Sequence, residues 1–300
     1  MTRQVTQNIP GANYQNGQSD AAPLPQVAIS YKITPHDQIY VNGTTSFRLP
    51  ASIMSYVDRY SVSTGVQTRS HTVNPKSEYA IGEEIGYRHT GLVNVSLALF
   101  NYNFTNRQIN TTTYASGTPV TESINGGGQT ARGAQIEVGL RPWHHFSPYV
   151  SAQYLHATTD NNLQVGNDYI RSAGKIAVKS PKVTVAVGLS YDDGSLFGAF
   201  NMNYVSKQYS TFMDDESIPS FETFNLNFGY RFHNYMYLKH PQIQLNLMNI
   251  GNSGFLSGVS GLSTNAKATK GVYGTTIAGS SPTYFVGGGF AGVLSFTTGF

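Results

Sequence analysis

Alternation with a period of two residues recurs along this chain, and it limits the fold more than any other feature. Val183, Val185, Val187, Leu189 and Tyr191 alternate with Thr184, Ala186, Gly188 and Ser190. In an extended strand these two sets stand on opposite faces. Phe224, Leu226, Phe228, Tyr230 and Phe232 alternate in the same way with Asn225, Asn227, Gly229 and Arg231, and Val93, Val95, Leu97 and Leu99 with Asn94, Ser96 and Ala98. Ala134, Ile136, Val138 and Leu140 oppose Gln135, Glu137, Gly139 and Arg141, so charges fall mostly on the polar register. Weaker examples lie at 24–33, 38–48, 78–88, 147–156, 195–208 and 242–250, and the last segment puts Phe290, Leu294, Phe296 and Phe300 on one face. The expectation is an all-β, antiparallel fold of roughly eleven strands.

A water-soluble sandwich also alternates, and the connections argue against it. Successive strands are joined alternately by tiny and by long links. The order is 34–37 then 49–77, 89–91 then 105–131, 142–145 then 157–179, 192–194 then 209–221, and 233–241 then 251–282. Short turns on one rim and long loops on the other are the pattern of a transmembrane β-barrel, with the short turns on the periplasmic side. Only 12% of residues are charged, yet the mean hydropathy is −0.25, which suits strands that face lipid on one side and water on the other. No run of 18 apolar residues is present, which rules out a helical crossing but not a β crossing of about 9–11 residues. The expected location is the outer membrane of a Gram-negative bacterium, with outer-membrane lipid as a partner. Tyr31, Tyr87, Trp143, Tyr191, Tyr230, Phe232 and Phe300 lie close to the short turns or the carboxy end and are expected to form an interfacial girdle, as are Tyr149, Phe197, Tyr235 and Tyr237. Glu83 shares parity with Ile81 and Ile85, so either that strand carries a bulge or Glu83 sits above the apolar band.

Other chemistry is thinly represented. A net charge of +3, without a Lys/Arg cluster, excludes nucleic acid as an expected partner. The absence of cysteine removes thiol chemistry and thiolate metal sites. His36-Asp37 and His144-His145 fall in short turns, and Asp214-Asp215-Glu216 in a long loop, where it is expected to be a solvated face. No phosphate loop, nucleophile elbow or paired-His helix motif occurs, so no metal, cofactor or enzymatic activity is expected. Ligand contacts are expected instead from aromatic and arginine side chains in the long loops: Tyr56, Arg59, Tyr60, Arg69, Tyr114, Tyr169, Arg171, Tyr209 and Phe212.

Eleven is an odd count, whereas single-chain bacterial barrels have an even one. Residues 1–23 are Gly/Asn/Gln-rich, loop-like and without a secretory signal, and residues 24–300 are read as the carboxy-terminal part of a transmembrane barrel. Asn74-Pro75-Lys76-Ser77-Glu78 leading into Glu84-Ile85-Gly86-Tyr87-Arg88 resembles a loop-to-strand junction of the TonB-dependent outer-membrane receptors. Arg132-Gly133-Ala134-Gln135-Ile136-Glu137, Ser180-Pro181-Lys182 and Asn246-Leu247-Met248-Asn249-Ile250 are similar to its later strands, with a departure at Gln135. The resemblance implies about half of a 22-stranded barrel and active uptake of a scarce nutrient such as a ferric siderophore. It also implies contact with the TonB complex only through a plug that these residues lack, and delivery by the barrel assembly machinery through the carboxy-terminal strand. A passive porin, a barrel hydrolase and a soluble β-protein remain as competing readings at this point.

Overall fold

A computed structural model describes residues 2–9, 12–19, 21–49, 56–60, 67–71, 76–115, 118–234 and 237–299, with side chains described outside 2–19, 56–71 and 110–124. All regular structure among them is β, and no helix is long and apolar enough to cross a membrane. Eleven strands form one antiparallel sheet. They are β1 (Val27–Lys32), β2 (Asp37–Arg48), β3 (Glu78–His89), β4 (Val93–Thr105), β5 (Gln129–Leu140), β6 (Phe146–Thr159), β7 (Val183–Asp192), β8 (Leu196–Val205), β9 (Phe221–Arg231), β10 (Lys239–Met248) and β11 (Ala291–Gly299). Each strand pairs only with its sequence neighbours, giving an up-and-down wall with β1 and β11 at its two edges. The eleven strands read from the alternation are these eleven, and short turns and long loops sort to opposite rims as expected.

The large apolar side chains of the wall are exposed. Ile29 is 67% accessible, Leu99 61% and Leu294 68%, which in water would be an uncovered hydrophobic face and in a bilayer is a lipid-facing one. The ladder is staggered in a consistent direction. Tyr31, Ile39, Tyr87, Leu97, Ile136, Ala152, Val185, Tyr204 and Glu222 stand opposite one another in turn across nine strands. Tyr31 lies beside a short turn and Glu222 beside a long loop, so the row climbs from one rim to the other. That climb is the shear a tilted barrel wall requires.

Register also resolves Glu83. The β2–β3 and β3–β4 ladders run without a shift along their whole length, so there is no bulge and Glu83 is on the lipid-facing side. Its row reads Gly43, Glu83, Asn101, Arg132 and His156, one step toward the long loops from the row of Val41, Ile85, Leu99, Ala134 and Tyr154. On β4–β6 the next row, Asn103, Thr130 and Thr158, is polar as well, whereas on β3 Ile81, 48% exposed, continues the apolar register beyond Glu83.

On the opposite, polar face, close packing of rings depends on glycine, at Gly86 and Gly82 most tightly. Tyr40 lies across Gly86 and Tyr102 across Gly82; a β-carbon added at either glycine would sit 2.3 or 2.2 Å from the ring. The short turns are fixed by polar side chains. Asp37 accepts hydrogen bonds from Thr34 and from Tyr87 (2.6 Å) and contacts His89 Nδ1 at 2.7 Å, joining two neighbouring turns. His144 and His145 both have positive φ, 47° and 70°, between Trp143 and Phe146, whose backbones exchange two hydrogen bonds of 2.9 Å. That is a type I′ geometry suited to hairpin twist. The two histidines therefore occupy a tight turn, as expected from sequence.

Candidate ligand-binding surface

The buried core of the molecule lies in its loops. Leu163, Ile170, Phe212, Ile218, Val259, Leu262 and Ile277 form one cluster, with Ile109, Val165, Val178, Met213, Leu256 and Tyr284 packed around it. These residues come from four of the five long connections, which carry short hairpins of their own, Leu163–Val165 with Asp168–Ile170 and Leu256–Gly261 with Thr283–Val286 among them. The loops on the long-loop rim thus condense into a cap.

Carboxylates tie the cap together. Asp168 Oδ1 accepts from the amides of Tyr169 (2.7 Å) and Tyr273 (2.8 Å), and Oδ2 from that of Thr275 (3.0 Å). These hydrogen bonds, the Tyr273 amide foremost, hold its carboxyl below the usual range against the opposing effect of burial. Asp215 bridges its own loop to the last one, accepting from the Thr211 hydroxyl (2.6 Å) and the amides of Ala266 and Lys267 (3.0 Å each). Burial alone would raise its pKa, but those donors outweigh it and the net shift is downward. Glu216 accepts from the Tyr284 hydroxyl, and Ser210 Oγ lies 3.1 Å from the same oxygen. Asp214 accepts from the Ile176 amide at 3.2 Å, its other oxygen is buried without a partner, and desolvation pushes its carboxyl up. The acidic triplet is therefore a set of inter-loop acceptors, which corrects the expectation of a solvated face.

Beneath the cap, the polar face of the wall has two characters. On β2–β4 it is aromatic and charged. Phe100, Tyr102 and Phe104 form a stripe with ring centroids 5.8 and 6.4 Å apart, and the Arg107 guanidinium lies 4.9 Å from the Phe104 ring while pairing with Glu78. Tyr40 donates to Glu84 at 2.7 Å and Arg88 lies over its ring. On β8–β10 the face is neutral and amide-rich, with Asn201 opposite Asn225, Asn227 opposite Asn246, and Gln244 donating to Asn246 at 2.8 Å. Such a surface offers hydrogen bonding, ring stacking and charge; among the described residues there is no group of three or more metal-ligating side chains.

Residues 2–250 match the family model described as TonB dependent receptor-like, beta-barrel. The chain belongs to that family. TonB-dependent receptors are transport receptors of the Gram-negative outer membrane, not enzymes. The fold is similar to the ferric yersiniabactin uptake receptor FyuA from Yersinia pestis, with a TM-score of 0.65 and 16% identity over all of this chain and 41% of that one. It is similar also to the siderophore receptor PiuA from Acinetobacter baumannii, with a TM-score of 0.68 and 17% identity over 98% of this chain and 38% of that one. A 114-residue stretch is 29% identical to the LPS-assembly protein LptD of Psychrobacter cryohalolentis, covering 34% of this chain and 11% of that protein. The chain thus spans about two fifths of the length of these receptor structures and a ninth of that curated relative.

Against this TonB-dependent receptor frame, the residues expected to touch ligand separate. Tyr169 stacks edge-on with Tyr273 at 5.9 Å, Arg171 is exposed, and Tyr209 pairs with the Lys207 ammonium at 3.2 Å, all in the cap. Phe212 is 1% exposed at the centre of the loop core, so its ring holds loops together and is not offered to a ligand. Tyr56, Arg59, Tyr60 and Arg69 belong to the hairpin Tyr56–Tyr60 with Gln67–His71, and Tyr114 to Gln108–Ala115 with Thr118–Asn125; their side chains lie outside the described residues. Residues 1–23, expected as loop, include a hairpin of Thr2–Ile9 with Ala12–Ser19 that does not join the wall.

Of the aromatics expected in the girdle, Tyr31, Tyr87, Tyr191 and Tyr230 share the lipid-facing register. Phe232 packs edge-on against Tyr230 at 4.8 Å, and Trp143 is 61% exposed in its turn. Tyr149 and Phe197 are corrections: they stand opposite Gly188 and Gly229 on the polar face. Closeness to a turn does not fix which side a residue takes. Phe300 and Tyr235 lie outside the described residues. The aromatic stripe and the Tyr40–Glu84–Arg88 group went unread from sequence, although the even parity of Phe100, Tyr102 and Phe104 against Leu97 and Leu99 carries the signal.

Proposed function

We propose that this chain supplies outer loops and part of the wall of a TonB-dependent receptor that captures a scarce nutrient such as a ferric siderophore in the outer membrane. The observation that carries the reading is the condensed loop cap standing over a staggered, lipid-facing antiparallel wall whose polar side is lined with aromatic, charged and amide groups. Ligand capture is assigned to the loops, with Tyr56, Arg59, Tyr60, Arg69, Tyr114, Tyr169, Arg171 and Tyr209 as contacts, and passage to the polar face below them. Energy coupling through the TonB complex belongs to a plug segment beyond these 300 residues, and membrane insertion to recognition of the carboxy-terminal strand by the barrel assembly machinery. The test is binding and uptake by the complete receptor after trimming loops 49–77 and 105–131. Ligand affinity falls if the reading holds. Unchanged affinity removes the loop assignment, and energy-independent ion conductance marks a passive channel in its place.

A further inference from the structure

The lipid-facing side of the wall carries a groove. It has a volume of about 660 Å³ and its walls are two neighbouring rows of the ladder, Ile39, Tyr87, Leu97, Ile136 and Ala152 on one side and Ile85, Leu99, Ala134, Tyr154 and Val183 on the other. Ala134 and Ala152 are the reason a depression exists, because each stands where its row otherwise carries a large side chain. The groove runs across the strands from β2 to β7. Five strand spacings make it about 24 Å long, and a barrel tilt of about 40° makes it rise about 15 Å, half the thickness of a bilayer's hydrocarbon core.

Its direction is set by the stagger. The low end is at Ile39 and Tyr87, beside the short turns, and the high end at Tyr154 and Val183, the latter being the first residue of β7 on the long-loop side. One ladder step beyond that high end the apolar band stops. Arg132 and His156 stand directly opposite each other there, and Asn103, Thr130 and Thr158 follow in the next row, with Ile81 at its β3 end. Arg132 is exposed, and among the described residues neither it nor His156 has a hydrogen-bond or ion-pair partner. Glu83 lies two strands from Arg132 with Asn101 between them, about 10 Å away, which leaves the guanidinium uncommitted.

We propose that the groove is a lipid site: it holds one acyl chain of an outer-leaflet lipid, whose phosphate-bearing headgroup is bound by Arg132 and His156. This rests on the outer-membrane reading. The guanidinium fork suits phosphate oxygens, His156 adds a second donor, and the hydroxyl and amide row above suits a polar headgroup. A cation at the edge of the hydrocarbon, facing lipid and unpaired, is otherwise unfavourable.

The full chain, extracted from membranes in mild detergent, is titrated with phosphatidic acid, phosphatidylcholine and inorganic phosphate, and bound molecules are counted by native mass spectrometry. Phosphatidic acid is expected to bind about tenfold more tightly than phosphatidylcholine, and the R132Q/H156Q variant to lose about that factor, the size of one charge-assisted hydrogen bond. Ala134→Phe, which fills the groove without touching the headgroup row, is expected to abolish retention, with circular dichroism verifying that each variant keeps its sheet. Equal retention of the two lipids, an unchanged R132Q/H156Q variant, or binding of inorganic phosphate as tight as that of phosphatidic acid would overturn the site. Failure of the outer-membrane reading looks different: the chain is then released from membranes by an alkaline wash before any titration.

Discussion

Phe212→Ala separates a loop core from a ligand contact. The ring is 1% exposed and packs in a cluster whose buried residues come from three long connections. Truncating a buried phenylalanine costs about 3–5 kcal/mol. At 1.4 kcal/mol per tenfold, local opening of the cap rises by roughly two to three and a half powers of ten. Because the three loops 160–182, 206–220 and 249–290 share the cluster, that increase falls on all of them together. The wall is untouched, since its ladder hydrogen bonds do not pass through Phe212. Hydrogen exchange read by mass spectrometry on the detergent-solubilised chain gives the answer peptide by peptide. Acceleration across 163–170, 208–218 and 256–277, with 183–192 and 221–231 unchanged, is the expected pattern. Acceleration limited to 206–220 would mean that the loops fold independently. Ligand binding lost with exchange unchanged would return Phe212 to the ligand surface and refute the argument.

Two further predictions concern the same cap and the wall beneath it. Asp168 and Asp215 are held below the usual carboxylate range when folded, so their contribution is complete above about pH 4 and is lost as pH falls through the lowered folded values; Asp214, held above it by burial, acts in the opposite sense, stabilising at low pH and ceasing to do so as pH rises through its folded value. Cap protection in exchange is therefore expected to fall on acidification below about pH 4, less steeply in Asp215→Asn, and a pH-independent cap would contradict it. In the wall, Gly86→Ala places a methyl group 2.3 Å from the Tyr40 ring and is expected to cost about 1–3 kcal/mol in urea unfolding, while Gly86→Ala combined with Tyr40→Ala recovers most of that loss; additive costs would refute the packing.

The parts of this structure that sequence discloses are those set by neighbours along the chain. Parity within Val183–Asp192 needs only the adjacent residues, and the sorting of short and long links needs only the distances between strands. The cap is different in kind. Asp168 meets the amides of Tyr273 and Thr275, 105 and 107 residues away, and Asp215 meets Ala266 and Lys267, 51 and 52 residues away. An acidic triplet in a loop has the same local sequence whether it faces water or fills the amide nests of another loop, so the solvated reading of 214–216 had no local signal against it.

Glu83 marks the boundary between these two cases and leads to the wider point. Its parity was legible, its meaning was not, because that depends on which residues the neighbouring strands bring alongside. With unshifted ladders on both sides, the misfit of one carboxylate becomes a row shared with Asn101, Arg132 and His156. On β4–β6 the change from Leu99, Ala134 and Tyr154 to that polar row takes a single ladder step. The change persists there into the next row, Asn103, Thr130 and Thr158, while on β3 the exposed Ile81 returns to the apolar class, in keeping with a row that climbs through a tilted wall. The loop core lies beyond the wall and holds itself together by burial. Substitutions in the loop core and substitutions on the lipid-facing side of the wall are therefore expected to act on separate properties of the protein.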